Sequence, residues 1–298
     1  MKKMKLFASF ITCILAAQTL VASPESILSF AVLGDAEPKP EAKFPNLSDA
    51  VDDINRLADA QIVQFAIGVG DLPHKGKLEQ YVALTPHLQR LKIPFYPIMG
   101  NEEHGASVER FVEFAQLWTA GKATIDSHRY VIEQDQLALV FASPDYSRQF
   151  SDGGIDWIVR TVDALAPKPV FLVVHAAQAG VYPEDPEKGV THPRFVEDVV
   201  SRPNLAAVIS GDLHLDLDRV EHSKQIGRVH YLHMPALERT KLPDATRHTP
   251  MFRVIHVLSN GMVKVDTYAT GERSPRDAHA YSFQIDLPEP SAADASDG

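Results

Sequence analysis

The chain has 298 residues and a formal net charge of -10, with 29 lysine and arginine residues against 39 aspartate and glutamate residues. This balance, with no basic run beyond the first few positions, argues against non-specific binding to nucleic acid or to anionic membranes, because both require a basic face. Hydrophobic residues make up 45% and charged residues 23% of the chain, which is typical of a globular protein that buries a sizeable core.

The N-terminal segment, residues 1–22, has the pattern of a secretory signal peptide. Three lysines among the first five residues precede an uncharged apolar stretch, Leu6–Leu20, and the small residues that follow suit cleavage after Ala22. We therefore expect a protein exported to the periplasm or the extracellular space, with no membrane span after cleavage; the alternative is an uncleaved N-terminal anchor. Cleavage would remove the only cysteine, so metal ligands in the mature chain would be oxygen atoms or imidazole nitrogens.

Apolar runs and amphipathic segments then alternate along the chain. Runs with strand character occupy residues 29–33, 64–69, 95–99, 129–134, 137–142, 170–174, 205–210, 229–233, 252–257 and 263–267. Apolar residues at helical spacing occupy 46–60, 78–91, 108–118 and 155–165. No internal repeat or linker divides this pattern, which predicts a single α/β domain over residues 23–287. Residues 288–298 are rich in Pro, Ala, Ser and Asp, so we expect a disordered tail there.

Five of the apolar runs end in a side chain of the type that binds metal ions, namely Asp35, Asp71, Asn101, His175 and Asp212. Open α/β sheets bind ligands beyond the carboxyl ends of their strands, so these residues are candidates for one shared site. A single Gly-Asp pair after a strand is usually only a turn, because Gly permits a positive φ and Asp bonds its own backbone. Five such endings in chain order favour a site over a series of turns.

The order of these residues resembles the motif series of the calcineurin-like metallophosphoesterases. The segments are Asp-Ala-Glu at 35–37, Gly-Asp at 70–71, Gly-Asn-Glu-Glu at 100–103, Val-Val-His-Ala at 173–176 and Gly-Asp-Leu-His at 211–214. The usual family pattern is Asp-x-His, Gly-Asp, Gly-Asn-His-Asp/Glu, a lone His after a strand, and Gly-His-x-His. The resemblance implies a four-layer αββα sandwich of two mixed β-sheets, in which the β-rich final third of the chain supplies much of the second sheet.

The resemblance also implies a centre with two metal ions that share one carboxylate. One ion would be held by Asp35, Glu37, Asp71 and His214, and the other by Asp71, Asn101, His175 and Asp212. In such a centre a hydroxide between the two ions attacks phosphorus in line, while both ions neutralise the phosphoryl oxygens. The implied activity is hydrolysis of phosphomonoesters or phosphodiesters, with the phosphoester as the expected partner. Taken singly, either His175 or His214 is better explained as a hydrogen-bonded structural histidine, and it is the match of both to the motif series that favours ligation.

Three histidines of the family pattern are replaced in this chain, by Glu37, Glu102 and Asp212. Glu37 and Asp212 can still ligate a metal, and their oxygen atoms favour Mn, Fe, Mg or Ca over Zn. The added negative charge is expected to weaken the ions as Lewis acids and to favour an alkaline optimum or diester substrates. Glu102 stands where the family has the histidine that contacts phosphate, so we name Glu102 and His104 as candidate catalytic residues. His74 is an alternative substitute, and each histidine is otherwise a solvated loop residue.

Two classes of function fit this pattern. The first is an exported, dinuclear metal-dependent phosphoesterase, which is favoured because every metal position keeps a residue able to ligate. The second is a non-catalytic relative that keeps the fold as a binding module, which is favoured by the loss of histidine at Glu102. No arginine cluster, aromatic cage or capping domain in the sequence indicates which phosphoester is the substrate.

Overall fold

The computed structural model describes residues 24–241 and 248–289. The predicted signal peptide, and the predicted tail from residue 290 onward, lie outside these described residues. The strands are β1 (Ser26–Leu33), β2 (Phe65–Gly68), β3 (Phe95–Pro97), β4 (Arg129–Glu133), β5 (Ala138–Ala142), β6 (Val170–Val174), β7 (Leu205–Ser210), β8 (Ser223–Ile226), β9 (Val229–His233), β10 (Met251–Leu258), β11 (Met262–Ala269) and β12 (Tyr281–Gln284). The α-helices are α1 (Pro45–Asp59), α2 (Leu78–Leu88), α3 (Val108–Trp118) and α4 (Asp152–Ala164), and Phe195–Val200 forms a π-helical segment.

The strands form two mixed sheets of six strands each, and this confirms the predicted fold class. The first sheet has the order β12-β11-β10-β1-β2-β3, in which β1, β2 and β3 run parallel and β10 to β12 pair antiparallel. The second sheet has the order β4-β5-β6-β7-β9-β8, with β5, β6, β7 and β9 parallel. Each edge of the second sheet is an antiparallel strand.

The prediction that the final third of the chain would supply much of the second sheet was wrong. Of the strands from Val229 onward, only β9 joins that sheet, whereas β10 pairs with β1, with Phe30 opposite Ile255, and β11 and β12 extend the first sheet. A continuous apolar run identifies a strand that is buried on both faces, but it does not say which sheet the strand joins. The short strands β8 and β12 were not predicted, and both have mostly exposed or half-buried side chains.

Alternation along β1 shows how the four layers are built. Phe30 and Val32 point into the apolar layer between the two sheets, whereas Ala31 and Leu33 point toward the helices α1, α2 and α3. Because both faces of β1 are covered, the strand is a continuous apolar run. Helix α4 and the π-helical segment cover the outer face of the second sheet. The layers are therefore helix, sheet, sheet and helix.

The same edge of both sheets carries the loops of interest. The parallel strands β1, β2 and β3 of the first sheet and β6 and β7 of the second end there, so the residues that follow them meet across the two sheets. Among residues 24–241 and 248–289, none of the helices has the length and apolar content needed to cross a membrane.

Candidate metal centre

The structure brings all seven predicted metal ligands together at the carboxyl ends of the strands. Asp35 follows β1, Asp71 follows β2, Asn101 follows β3, His175 follows β6 and Asp212 follows β7. Glu37 and His214 each lie two residues beyond one of these positions. Six of the seven side chains are buried and Asn101 is half-buried. Of these seven residues, Asn101 is therefore the most accessible to solvent.

A first group of donor atoms surrounds Nε2 of His214. This nitrogen lies 3.2 Å from Oδ2 of Asp71, 3.5 Å from Oε2 of Glu37 and 3.8 Å from Oδ1 of Asp35. Oδ2 of Asp35 and Nδ1 of His214 are buried without a hydrogen-bond partner. A buried carboxylate oxygen without a donor is costly unless a cation or water satisfies it, so this group has the character of an ion site.

A second group of donor atoms surrounds Nε2 of His175. This nitrogen lies 3.3 Å from Oδ1 of Asp71, 3.3 Å from Oδ1 of Asn101 and 3.5 Å from Oδ1 of Asp212. Nδ1 of His175 lies 2.8 Å from the carbonyl oxygen of Val69, which can only accept a hydrogen bond. Nδ1 therefore carries the proton and Nε2 presents its lone pair to the group, as metal-binding histidines do.

The two groups fit two metal ions that share Asp71. Donor atoms about 2.1 Å from one ion lie roughly 3.0 to 3.4 Å apart, and the spacings around His175 and His214 are close to this. Asp71 contributes Oδ1 to one group and Oδ2 to the other. Burial alone would raise the pKa of Asp71, but the neighbouring His175 and His214 hold it well below its usual range. The shared carboxylate is therefore ionised.

The loops that carry these residues have an unusual backbone geometry, and one of them requires a glycine. Glu37, Asp71, Asp212 and His214 all have positive φ, at 37°, 51°, 70° and 54°. Such strained conformations concentrate at functional sites, where surrounding structure maintains them. A Cβ on Gly100 would lie 2.3 Å from Oδ1 of Asp71, so the β3 loop can approach the shared carboxylate only with glycine at that position.

Glu103 holds the loops of the centre together, a role that the sequence analysis did not assign. Its buried carboxylate accepts backbone N–H bonds from Asp71 at 2.9 Å, Leu72 at 2.9 Å and Gly100 at 2.8 Å. Burial raises the pKa of Glu103 to about 8, and the N–H groups of Leu72 and Gly100 oppose that rise. The only signal in the sequence was its place directly after Glu102 in the Gly-Asn motif.

The candidate catalytic residue Glu102 turns its carboxylate toward His74. Oε2 of Glu102 lies 2.8 Å from Nδ1 of His74, which also lies 2.9 Å from Oε1 of Glu37. The same oxygen accepts the backbone N–H of Lys75 at 2.7 Å, whereas the backbone N–H of Glu102 donates to Oδ1 of Asp71 at 2.8 Å. The structure therefore places an imidazole at the centre through His74, the residue that sequence analysis gave only as an alternative.

The second candidate catalytic residue, His104, is placed differently. It lies in the 3-10 turn Glu103–Gly105, where its ring contacts the carbonyl of Pro144, and Nε2 is buried without a hydrogen-bond partner. Burial lowers the pKa of His104. Within the described ranges, His104 belongs to none of the three clusters of acidic and histidine side chains that can hold a metal.

Five basic side chains contact the two residues that replace family histidines, although the sequence analysis found no arginine cluster. We define the Glu37 region as Glu37, Lys39, His74, Glu102 and Arg239, and the Asp212 region as Arg148, Lys188, Asp212 and Lys241. Lys39 and Arg239 contact the carboxylate of Glu37. Although burial opposes it, the effects of His214, Lys39 and Arg239 lower the pKa of Glu37 to about 2.

The Asp212 region contains more basic contacts. Nε of Arg148 lies 3.0 Å from Oδ2 of Asp212, and its Nη2 lies 3.2 Å from Oδ1 of Asp212 and 2.9 Å from Oδ1 of Asn101. Nζ of Lys188 lies 3.0 Å from Oδ1 of Asp212, and Nζ of Lys241 lies 3.4 Å from its backbone carbonyl. Burial and the charge of Lys188 lower the pKa of Lys241 to about 8.

Comparison with known proteins places this geometry in a family context. The model of the calcineurin-like phosphoesterase family matches residues 28–216, which contain all seven donor residues. No curated protein sequence matches the chain.

Several solved structures share the fold. A dimetal phosphatase from Danio rerio superposes with a TM-score of 0.64 at 11% identity, covering 87% of this chain and 99% of that one. Purple acid phosphatase PPD1 from yellow lupin gives 0.61 at 12% identity, over 86% of this chain and 53% of that one. GAP50, described as the anchor in the inner membrane complex of Plasmodium, gives 0.58 at 10% identity, over 89% and 90% of the two chains. At these identities the likeness shows a shared fold.

Proposed function

Since the chain belongs to the calcineurin-like phosphoesterase family, we propose that it is a dinuclear metal-dependent phosphoesterase that hydrolyses phosphomonoesters or phosphodiesters. The main observation behind this proposal is that the two carboxylate oxygens of Asp71 lie in different donor groups. Oδ1 of Asp71 lies with Asn101, His175 and Asp212, while Oδ2 lies with Glu37 and His214. A bridging carboxylate offsets the repulsion between two cations that lie close together.

Two divalent ions in these positions would supply Lewis acidity toward the phosphoryl group and would lower the pKa of a water molecule that they share. The protein supplies the rigid frame. Glu103 ties the β2 and β3 loops together through three backbone N–H groups, and His175 is fixed by the carbonyl of Val69. Such preorganisation keeps the donors in place while charge develops at phosphorus.

The proposed proton-handling group is the pair of Glu102 and His74. Glu102 holds Nδ1 of His74 at 2.8 Å, as a carboxylate orients an imidazole in many active sites. Glu102 stands at the motif position where the family has a single histidine, and His74 is in contact with it. A direct role for His104 stays a prediction, because its ring faces Pro144.

The donor set also bears on the identity of the ions. Six oxygen atoms from five residues and two imidazole nitrogens surround the two positions, and oxygen-rich sets favour Mn, Mg, Fe or Ca over Zn. The basic side chains that contact Glu37 and Asp212 neutralise the negative charge of these two added carboxylates. We therefore propose that the centre keeps enough positive charge to bind phosphomonoester dianions, which modifies the sequence-based expectation of a preference for diesters.

The experiment is a panel of phosphomonoesters and phosphodiesters, assayed with chelator-treated protein reloaded with Mn, Mg, Fe, Ca or Zn. We expect hydrolysis that depends on added metal and that is highest with one of the oxygen-preferring ions. Hydrolysis that persists in chelator, or a complete absence of turnover with every ion and ester, would contradict the proposal.

A non-catalytic binding module is the second candidate function. It is favoured by the replacement of the phosphate-contacting histidine with Glu102, because Oε2 of Glu102 is already engaged by His74 and by the backbone N–H of Lys75. In that case the protein would take up metal and bind phosphate without turning over any ester, so calorimetry with phosphate alongside the ester panel separates the two functions.

Export is proposed on the sequence pattern alone. Intact-mass measurement of protein from the periplasm or culture medium should give a chain that begins at Ser23. A soluble cytoplasmic form that retains residues 1–22 would contradict it.

A further inference from the structure

Among the described residues, the Asp212 region contains more positively charged side chains than its one carboxylate neutralises. Arg148, Lys188 and Lys241 come from separate loops and all contact Asp212. Burial and the repulsion from the nearby charge of Lys188 also lower the pKa of Lys241. Among the residues that the structure describes, three cations surround the one carboxylate of Asp212, which leaves an excess of two positive charges beside the second donor group.

The Glu37 region shows that this excess is not a general property of the centre. Lys39 and Arg239 contact Glu37, and the carboxylate of Glu102 lies on the other side of His74. Two cations therefore face two carboxylates, and the region is balanced. The same kind of replacement, histidine by carboxylate, is accompanied by surplus cations only around Asp212.

The surplus donors lie where a ligand of the centre can reach them. The side chain of Arg148 is 27% exposed, and Lys241 is exposed. Nε and Nη2 of Arg148 bond Asp212 and Asn101, whereas its Nη1 contacts no acceptor in the parts of the chain that the structure describes. These donors border Asn101, a member of the second donor group, and so lie next to the proposed position of the reacting phosphoryl group.

We propose that Arg148, Lys188 and Lys241 bind a second phosphoryl group of the substrate, so that the preferred substrates are phosphoesters that carry two phosphoryl groups a few bonds apart. This inference rests on the proposed function, because it assigns the reacting phosphoryl group to the two donor groups. An excess of two positive charges matches a phosphoryl dianion. A guanidinium fork and two ammonium groups supply donors for its three oxygen atoms.

The test compares probes that differ in one group. Propyl phosphate, 1,3-propanediol bisphosphate and 3-phosphooxypropanoate share a chain and one phosphoryl group, and their second ends are methyl, phosphoryl and carboxylate. Dissociation constants for the metal-loaded protein are measured by calorimetry with free metal in excess, and turnover is measured on the same samples. The ratio of affinities within one protein cancels differences in folded fraction and metal occupancy.

Lys241→Met is the diagnostic variant, because the ammonium group of Lys241 contacts the backbone carbonyl of Asp212 rather than its carboxylate. Lys39→Met is the matched control, since it removes a lysine from the Glu37 region of the same centre. We expect the wild-type protein to bind the bisphosphate about tenfold more tightly than propyl phosphate, as one added charge-assisted contact provides. Lys241→Met should lose most of this preference and Lys39→Met should keep it.

Several results would overturn the inference. These are equal affinity for the two phosphorylated probes in the wild-type protein, an equal loss in Lys241→Met and Lys39→Met, and binding of the carboxylate probe as tight as that of the bisphosphate. A preference for the bisphosphate without turnover of any probe would support the second phosphoryl site and contradict the proposed hydrolysis, so the two proposals fail separately.

Discussion

The Glu37 and Asp212 regions carry the same kind of replacement and differ in what surrounds it. In each, a carboxylate stands where the family pattern has histidine, and in each, basic side chains contact that carboxylate. Around Glu37 the charges balance, because Glu102 adds a second carboxylate beside His74. Around Asp212 the described charges do not balance, because three cations lie beside one carboxylate, two of them in contact with it and Lys241 in contact with the backbone carbonyl of Asp212.

A change of ligand type therefore also changes the charge of the site and the side chains needed around it. Exchanging a neutral imidazole for a carboxylate adds a negative charge to a buried site, and burying an unpaired charge is costly. Basic partners remove that cost in both regions. In the Asp212 region the partners exceed what the carboxylate requires, and the surplus is available to an anion.

The largest effect should follow from changing Asp71, whose two carboxylate oxygens belong to the two donor groups. Asp71→Asn removes the shared charge while keeping the size of the side chain, so the repulsion between two ions is no longer offset. We expect most of both metals and nearly all ester hydrolysis to be lost, as measured by metal analysis and a phosphoester assay. If Asp71→Asn retains two metals per chain, the assignment of Asp71 as the bridge is wrong.

Glu103→Gln should destabilise the frame on which both regions depend. The carboxamide offers one oxygen where the carboxylate accepts three N–H bonds, so at least one buried backbone donor loses its acceptor. We expect a loss of about 2 to 4 kcal/mol in the free energy of unfolding, measured by urea denaturation. Glu79→Gln, at an exposed glutamate, is the control and should change stability by less than about 0.5 kcal/mol.

Restoring the family histidines one at a time should separate the two regions. Asp212→His leaves Arg148, Lys188 and Lys241 without their counter-charge, whereas Glu37→His leaves Glu102 near the basic side chains that remain. We therefore expect chelator-treated Asp212→His to lose about 1 to 3 kcal/mol of stability and Glu37→His to lose less. Equal losses would show that the charge balance does not differ between the regions.

Strand ends and motif order predicted the fold and the seven donor residues, because both are written in short stretches of sequence. Asp71, for example, is identified by the apolar run before it and by Gly70. The basic partners were not predicted, because Arg148 and Lys188 lie in irregular loops that no periodicity describes. Arg239 and Lys241 lie beyond the matched family region, residues 28–216. Their approach to the centre depends on tertiary structure alone.

The sheet to which β10 to β12 belong was mispredicted for a related reason. Strand patterning reports that β10 is buried on both faces, and the pairing of Phe30 with Ile255 is a non-local contact. The role of Glu103 as the acceptor of three backbone N–H bonds was also not predicted. An acidic residue in a motif has the same sequence signal whether it binds a metal or backbone N–H groups.

A further prediction concerns acid stability near the Asp212 region. Burial, with the charges of Arg253 and Lys188, lowers the pKa of His233 to about 3, below the unfolded value of 6.5. The unfolded chain therefore binds more protons between these values, so this contribution to stability is fully present above pH 6.5 and is lost as the pH falls toward 3. The slope should be about 1.4 kcal/mol per pH unit.

His233→Phe removes this titration while keeping an aromatic ring beside Tyr182. Urea denaturation at a series of pH values below 6.5 should show a shallower loss of stability in the variant. An unchanged slope would mean that acid acts on other groups.

The most direct test of the central proposal is a titration of chelator-treated wild-type protein with Mn, in which phosphoester hydrolysis is followed against equivalents of metal bound. We predict that activity is absent without metal and rises to a plateau at two equivalents per chain, as expected for two donor groups that share Asp71. Full activity at one equivalent, or activity that does not respond to metal at all, would contradict a dinuclear centre.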